Sequence, residues 1–157
     1  MQRPVWWVIG GALLLTGMGA APQALTVGSQ EARPGAQHIQ LPLMLRGIKR
    51  TQVVALQAEL RYDPARLHFQ STTIGPVAQA AGKQLSANSH EPGVLKLVLF
   101  GMNQRPLKDG VVASLIFNVA ADQRPGPVDV QVSRVSAADP RGRPIKLEGV
   151  GGRVTIR

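Results

Sequence analysis

The 157-residue chain has no cysteine. No disulfide can support its fold, no thiolate can serve as nucleophile or metal ligand, and no lipid can be carried on a lipoprotein cysteine. Aromatic residues are nearly as scarce: two Trp, one Tyr and three Phe. Both tryptophans, Trp6 and Trp7, stand close to the N-terminus, which leaves Tyr62, Phe69, Phe100 and Phe117 for the rest. Without aromatics to stack bases, single-stranded nucleic acid is a poor partner. Acids are also few, nine against eighteen Lys and Arg, and they are scattered. They form no Asp-x-Asp-x-Asp-Gly calcium loop, and nothing in their spacing raises a glycosidase pair. The histidines, His38, His68 and His90, are far apart and form no HExxH or HxH pattern. His90 lies near Ser86 and Ser89, but no Gly-x-Ser-x-Gly elbow is present, so it reads as an exposed loop histidine. Gly151-Gly152 precedes a strand rather than a helix and is no phosphate loop. The expectation is a protein without catalytic residues, metal ligands or cofactor.

Long apolar runs are absent apart from Val5–Leu15, VWWVIGGALLL. Arg3 precedes that run and small residues follow it in TGMGAAPQA. This order predicts a secretory signal peptide over residues 1–24, cleaved between Gly19 and Ala24. The run is short and glycine-rich for a membrane span; an uncleaved anchor is the alternative. Residues 25–157 then form one domain large enough for a core of its own. Its charge falls from +9 to +8 when Arg3 leaves.

What is present is alternation. HIQLPLML puts Ile39, Leu41, Leu43 and Leu45 on one face. VALQAELRY puts Leu56, Ala58, Leu60 and Tyr62 inward and Ala55, Gln57, Glu59 and Arg61 outward. VLKLVLF, VVASLIFNV, VDVQV and GRVTI repeat the pattern. A period of two repeated this often predicts strands with one buried face. Arg33-Pro34-Gly35, Asp63-Pro64, Glu91-Pro92-Gly93, Asp109-Gly110, Arg124-Pro125-Gly126, Asp139-Pro140 and Gly151-Gly152 punctuate it with turns. Val77–Ala87 suits a short helix or a polar strand, with strand preferred. Eight or nine short strands at such spacing predict a sandwich or jelly roll.

Tyr62-Asp63-Pro64 poses a choice between a metal-binding corner and a turn. Tyr62 continues the buried alternation with its hydroxyl free to reach a polar rim. Asp63 can accept bonds from the turn backbone, and Pro64 fixes φ. Calcium needs six to eight oxygens, which Asp63 alone cannot supply. The structural turn is the expectation.

Taken in order, several segments resemble the cohesin domain, the module of cellulosomal scaffold proteins that binds dockerin modules. ARPGAQHIQLPLML resembles that family's opening strand, and LQAELRYDPARLHF its strand, Tyr-Asp-Pro turn and next strand. GVLKLVLFG is similar to its middle strand, DGVVASLIFNVAADQRPGPVDVQV to its long strand and return, and EGVGGRVTI to its closing strand. The resemblance implies an all-β, nine-stranded jelly-roll β-sandwich related to some carbohydrate-binding modules. It also implies a secreted or cell-envelope binding module that grips a protein on one flat sheet face. The matching outward positions give Gln57, Glu59 and Arg61 as the candidate binding strip. Well-known members carry Asp and Asn five and seven positions before the Tyr, where this chain has Gln57 and Ala55. The partner is expected to be dockerin-like or part of an envelope or secretion assembly. A polysaccharide is the alternative ligand, although sugar platforms on this fold use exposed aromatics. Arg46, Lys49 and Arg50 in one loop, and Arg141, Arg143 and Lys146 in another, add a basic surface able to attract an anionic partner.

Overall fold

The structure, a computed structural model, describes residues 22–157. The apolar run Val5–Leu15, and with it most of the expected signal peptide, lies outside the described residues. Ala24, at the predicted boundary, is buried and opens the first strand.

Two sheets face one another. The first holds β1 (Ala24–Val27), β3 (Ile39–Arg46), β5 (Leu67–Ile74), β8 (Gly110–Val119) and β11 (Glu148–Val150), in the order β11-β1-β3-β8-β5. The second holds β2 (Gln30–Ala32), β4 (Ala55–Arg61), β6 (Gln84–Asn88), β7 (Val94–Phe100), β9 (Gly126–Ala138) and β12 (Gly152–Ile156), in the order β2-β12-β9-β4-β7-β6. A two-residue β10 (Pro144–Ile145) pairs with the end of β9. The predicted alternation is the physical basis of both sheets. Leu41, Leu43 and Leu45 meet Leu56, Leu60, Leu95, Leu115 and Phe117 in one core between them, all at most 4 % exposed. Burying an aliphatic side chain of this size stabilises by about 1.5–3 kcal/mol, so this layer dominates the fold.

Twelve strands stand where nine were expected. The excess comes from the ends of the chain. Both terminal segments cross from one sheet to the other: β1 and β2 near the start, β11 and β12 near the end. Each crossing makes parallel edge pairs, β1 with β11 and β2 with β12. The crossings meet at glycines. A Cβ on buried Gly152 would lie 2.3 Å from the Gly28 carbonyl oxygen and 2.6 Å from that of Val27. Backbone cannot yield as a side chain can. Gly152→Ala is therefore expected to destabilise the domain by about 1–3 kcal/mol, the range for overpacking. A urea midpoint unchanged from wild type would show that the crossing has slack.

The preference for a strand over Val77–Ala87 is corrected in its first half. Pro76–Ala80 forms a single helical turn, α1, with proline in its first turn and Ala78 buried; β6 follows from Gln84. Proline preset for a helix start and the left-handed Gly82 (φ 67°) after it separate the two. The one buried charged residue among those described, Lys83, follows directly. Its Nζ donates to the carbonyl oxygen of Asn103 (3.2 Å) and to its Oδ1 (2.9 Å).

Candidate functional site

Strand β4 lies inside the second sheet, between β9 and β7. Its odd-numbered residues point to solvent. Gln57 pairs with Ser136 of β9 and Val98 of β7; Glu59 pairs with Arg134 and Lys96. β6 extends both rows, with Ser86 opposite Val98 and Asn88 opposite Lys96. Two rungs thus cross the outer face: Ser136–Gln57–Val98–Ser86 and Arg134–Glu59–Lys96–Asn88. The second alternates cation, anion, cation. Arg61 ends the strip between Gln131 and Val94. Gln57, Glu59, Lys96, Val98, Arg134 and Ser136 line a shallow trough of about 660 Å³; Arg61 lies outside it.

Glu59 is the electrostatic centre of the face. Its Oε1 accepts from Arg61 Nε (3.2 Å), Arg61 Nη2 (3.1 Å) and Ser133 Oγ (3.1 Å). Ser133 is there because β9 bulges. Glu59 pairs with Arg134 and Leu60 with Val132, so Ser133 is the extra residue, its hydroxyl also 3.1 Å from the Glu59 carbonyl oxygen. The Ser133 hydroxyl foremost, then Arg61, hold the Glu59 carboxyl below the ordinary glutamate value, against a smaller opposing effect of burial.

A depressed folded pKa means the carboxylate stabilises the fold above the unfolded value, and that this stability is lost as pH falls through the folded one. Glu59→Gln is therefore expected to lower the urea midpoint near neutrality. The gap to wild type should close as acid protonates Glu59 in both states. A gap that persisted or widened in acid would contradict the assignment.

Tyr62, Asp63 and Pro64 sit apart from the trough, at the end of β4. The Tyr62 N–H donates to the Gly93 carbonyl (3.0 Å), and its ring packs edge-on against Phe117, centroids 5.1 Å apart. Asp63 Oδ1 accepts from the Ala65 N–H (2.9 Å), and the Asp63 carbonyl accepts from the N–H groups of Arg66 and Leu67. The Oδ1 and the carbonyl oxygen of Asp63 thus serve its own turn. Among the described residues no cluster of three or more His, Asp or Glu could hold a metal ion.

Lys96, Arg134, Ser133 and Ser136 were not singled out from sequence. Lys96 carried a signal, the lone charge within an alternating apolar run. The β9 residues carried little, because the bulge at Ser133 breaks the period in VSRVSA. The exposed faces lack a sugar platform: among the described residues the exposed aromatic is Phe100.

The cohesin domain family model matches residues 23–156. No curated protein matches the chain. Among solved structures, the sixth cohesin of scaffoldin B from Acetivibrio cellulolyticus, in complex with a Cel5 dockerin, superposes with a TM-score of 0.78 at 22% identity, covering 87% of this chain and 100% of that one. The OlpA cohesin from Clostridium thermocellum, also in complex with a dockerin, gives 0.78 at 20% identity over the same shares. A non-cellulosomal cohesin from the archaeon Archaeoglobus fulgidus gives 0.73 at 20% identity, with 87% and 92% covered.

Proposed function

Since the chain belongs to the cohesin domain family, we propose that it is a secreted or envelope-located recognition module whose outer β9-β4-β7 face binds a protein of the dockerin kind. The family is one of protein-binding modules, and the chain is not an enzyme. The observation that carries the choice of face is the rung Arg134–Glu59–Lys96. It lies on inner strands, whose backbone cannot give way. It alternates in charge, and apolar Val94 and Val98, partly exposed, flank Lys96 at the outward positions of the neighbouring strand. Polar groups that fix register beside partly exposed apolar side chains suit a protein surface better than a small molecule.

Gln57, Glu59 and Arg61 serve as the contact strip in this reading. Gln57 and Ala55, standing where well-known members carry Asp and Asn, alter partner choice without altering the fold. Resemblance to a non-cellulosomal cohesin is consistent with a partner outside cellulose degradation. The N-terminal apolar segment supports export.

Titration calorimetry of the full chain with purified dockerin modules from its own organism tests the reading. Saturable one-to-one binding at micromolar or tighter Kd is expected, with no retention on insoluble polysaccharide. Retention on polysaccharide without dockerin binding would overturn it.

A further inference from the structure

We infer that the end of the sandwich where the chain enters the fold is a docking surface for an anionic lipid bilayer. This does not rest on the protein partner proposed above, which uses a sheet face. Strand register fixes which segments share this end: the loops joining β3 to β4, β7 to β8, and β9 through β10 to β11, together with the α1 connection between β5 and β6. Contacts tie them together. The Leu107 N–H donates to the Val53 carbonyl (2.7 Å), that of Val54 to Ala138 (2.9 Å), and Gln104 Nε2 to Pro140 (3.3 Å).

Charge collects here. Arg46 ends β3, Lys49 and Arg50 follow in the first loop, Arg105 and Lys108 come from the second, and Arg141, Arg143 and Lys146 from the third; all are exposed. Only three carboxylates share the end, Asp109, Asp139 and Glu148. Asp109 is turned onto the β3–β4 loop and Asp139 onto its own loop. Asp109 accepts from the N–H groups of Gly47 and Ile48 (3.1 and 2.9 Å), and Asp139 from those of Arg141 and Arg143 and from Arg143 Nε (2.9, 2.8 and 2.8 Å). They shape the basic loops, Asp139 also pairing with Arg143, and the eight exposed cations less three carboxylates still leave this end at +5. At the opposite end Arg33, Arg61, Arg66, Arg124 and Arg157 face Glu31, Asp63, Glu91 and Asp122, close to balance.

Two further observations select lipid over an acidic protein or glycan. First, the basic end carries exposed apolar side chains. Met102 is fully exposed in the β7–β8 loop, and Phe100 is 43% exposed just before it. A soluble polyanion offers these nothing, whereas a bilayer interface takes them up beside basic residues. Second, the chain enters the fold at this end: Ala24 pairs with Arg46, and the Gln23 carbonyl accepts from the Glu148 N–H (2.9 Å). Residues 16–22 alone separate Gln23 from the apolar run Val5–Leu15. Fully extended they reach about 25 Å. While that run is in a membrane, this end is held close to the lipid surface.

The test is cosedimentation of the full chain with vesicles of pure phosphatidylcholine and of phosphatidylcholine with phosphatidylglycerol. The apolar N-terminus is common to every variant, so the ratio of the two affinities reads the basic end. The ratio should strongly favour phosphatidylglycerol and fall as salt rises. Combined Lys49→Glu, Arg50→Glu and Arg141→Glu should cut it roughly 100-fold or more, at about fivefold per cation lost. Arg33→Glu, Arg124→Glu and Arg157→Glu, with the same change in net charge at the far end, should leave it within a few-fold. Met102→Ser should weaken binding several-fold at constant charge. Equal losses for the two triple variants would mean that net charge alone acts, and would overturn the inference. So would tight binding to soluble dextran sulfate combined with indifference to Met102→Ser, which would point to an acidic polymer instead.

Discussion

Phe117→Ala is expected to cost the domain about 3–5 kcal/mol, against a whole stability of about 5–15 kcal/mol for a typical domain. Phe117 is fully buried in β8, and its ring stands edge-on to two others: Tyr62 at 5.1 Å and 74°, Phe69 at 5.7 Å and 69°. Each such pair contributes about 0.5–1.5 kcal/mol beyond area burial. The position also resists collapse. β8 is hydrogen-bonded on both sides, to β3 through Ile39 and to β5 through Phe69, so neither neighbour can move in to fill the cavity. Phe117→Leu should recover most of the loss. Phe100→Ala, at an exposed site, should stay within about 0.5 kcal/mol. Guanidinium unfolding of the three variants is the measurement, and a cost below about 1 kcal/mol for Phe117→Ala would mean that the aromatic trio does not hold the sheets together.

Glu59→Arg is expected to weaken partner binding by about 100-fold or more while leaving the domain folded. The substitution replaces the anion of the central rung by a fourth cation beside Arg61, Lys96 and Arg134. A partner whose cations met Glu59 and whose anions met its neighbours would find one sign throughout, and like-charge juxtaposition costs several kcal/mol. Within the domain the penalty is smaller. Glu59 lies on the solvent side of the sheet, and its inward neighbours Ala58 and Leu60 are untouched. Glu59→Gln, which keeps the shape and removes the charge, should fall between. Unchanged affinity in Glu59→Arg, with circular dichroism like that of wild type, would move the site off this face.

The sandwich was legible because its core obeys a strict period of two. Leu95, Leu97 and Leu99 around Lys96, or Leu115, Phe117 and Val119, leave no other face to bury. The ends were not legible. β1, β2, β10 and β11 are two to four residues long and hold their places by pairing across the chain, which no local pattern announces. Gly151-Gly152 marks the break in EGVGGRVTI, but only the pairing and the close approach at Gly152 show that the two halves join different sheets. The candidate strip on β4 could be read from alternation and resemblance, yet the residues flanking Glu59 depend on register. The β9 bulge that turns Ser133 toward Glu59 erases the alternation that would have revealed Arg134.

The most direct measurement is amide hydrogen exchange of the domain with and without bound dockerin, read strand by strand. Added protection should be confined to β9, β4, β7 and β6, strongest around Glu59 and Lys96. Protection gathered instead on β1, β3, β5 and β8 would place the recognition surface on the opposite wall of the sandwich.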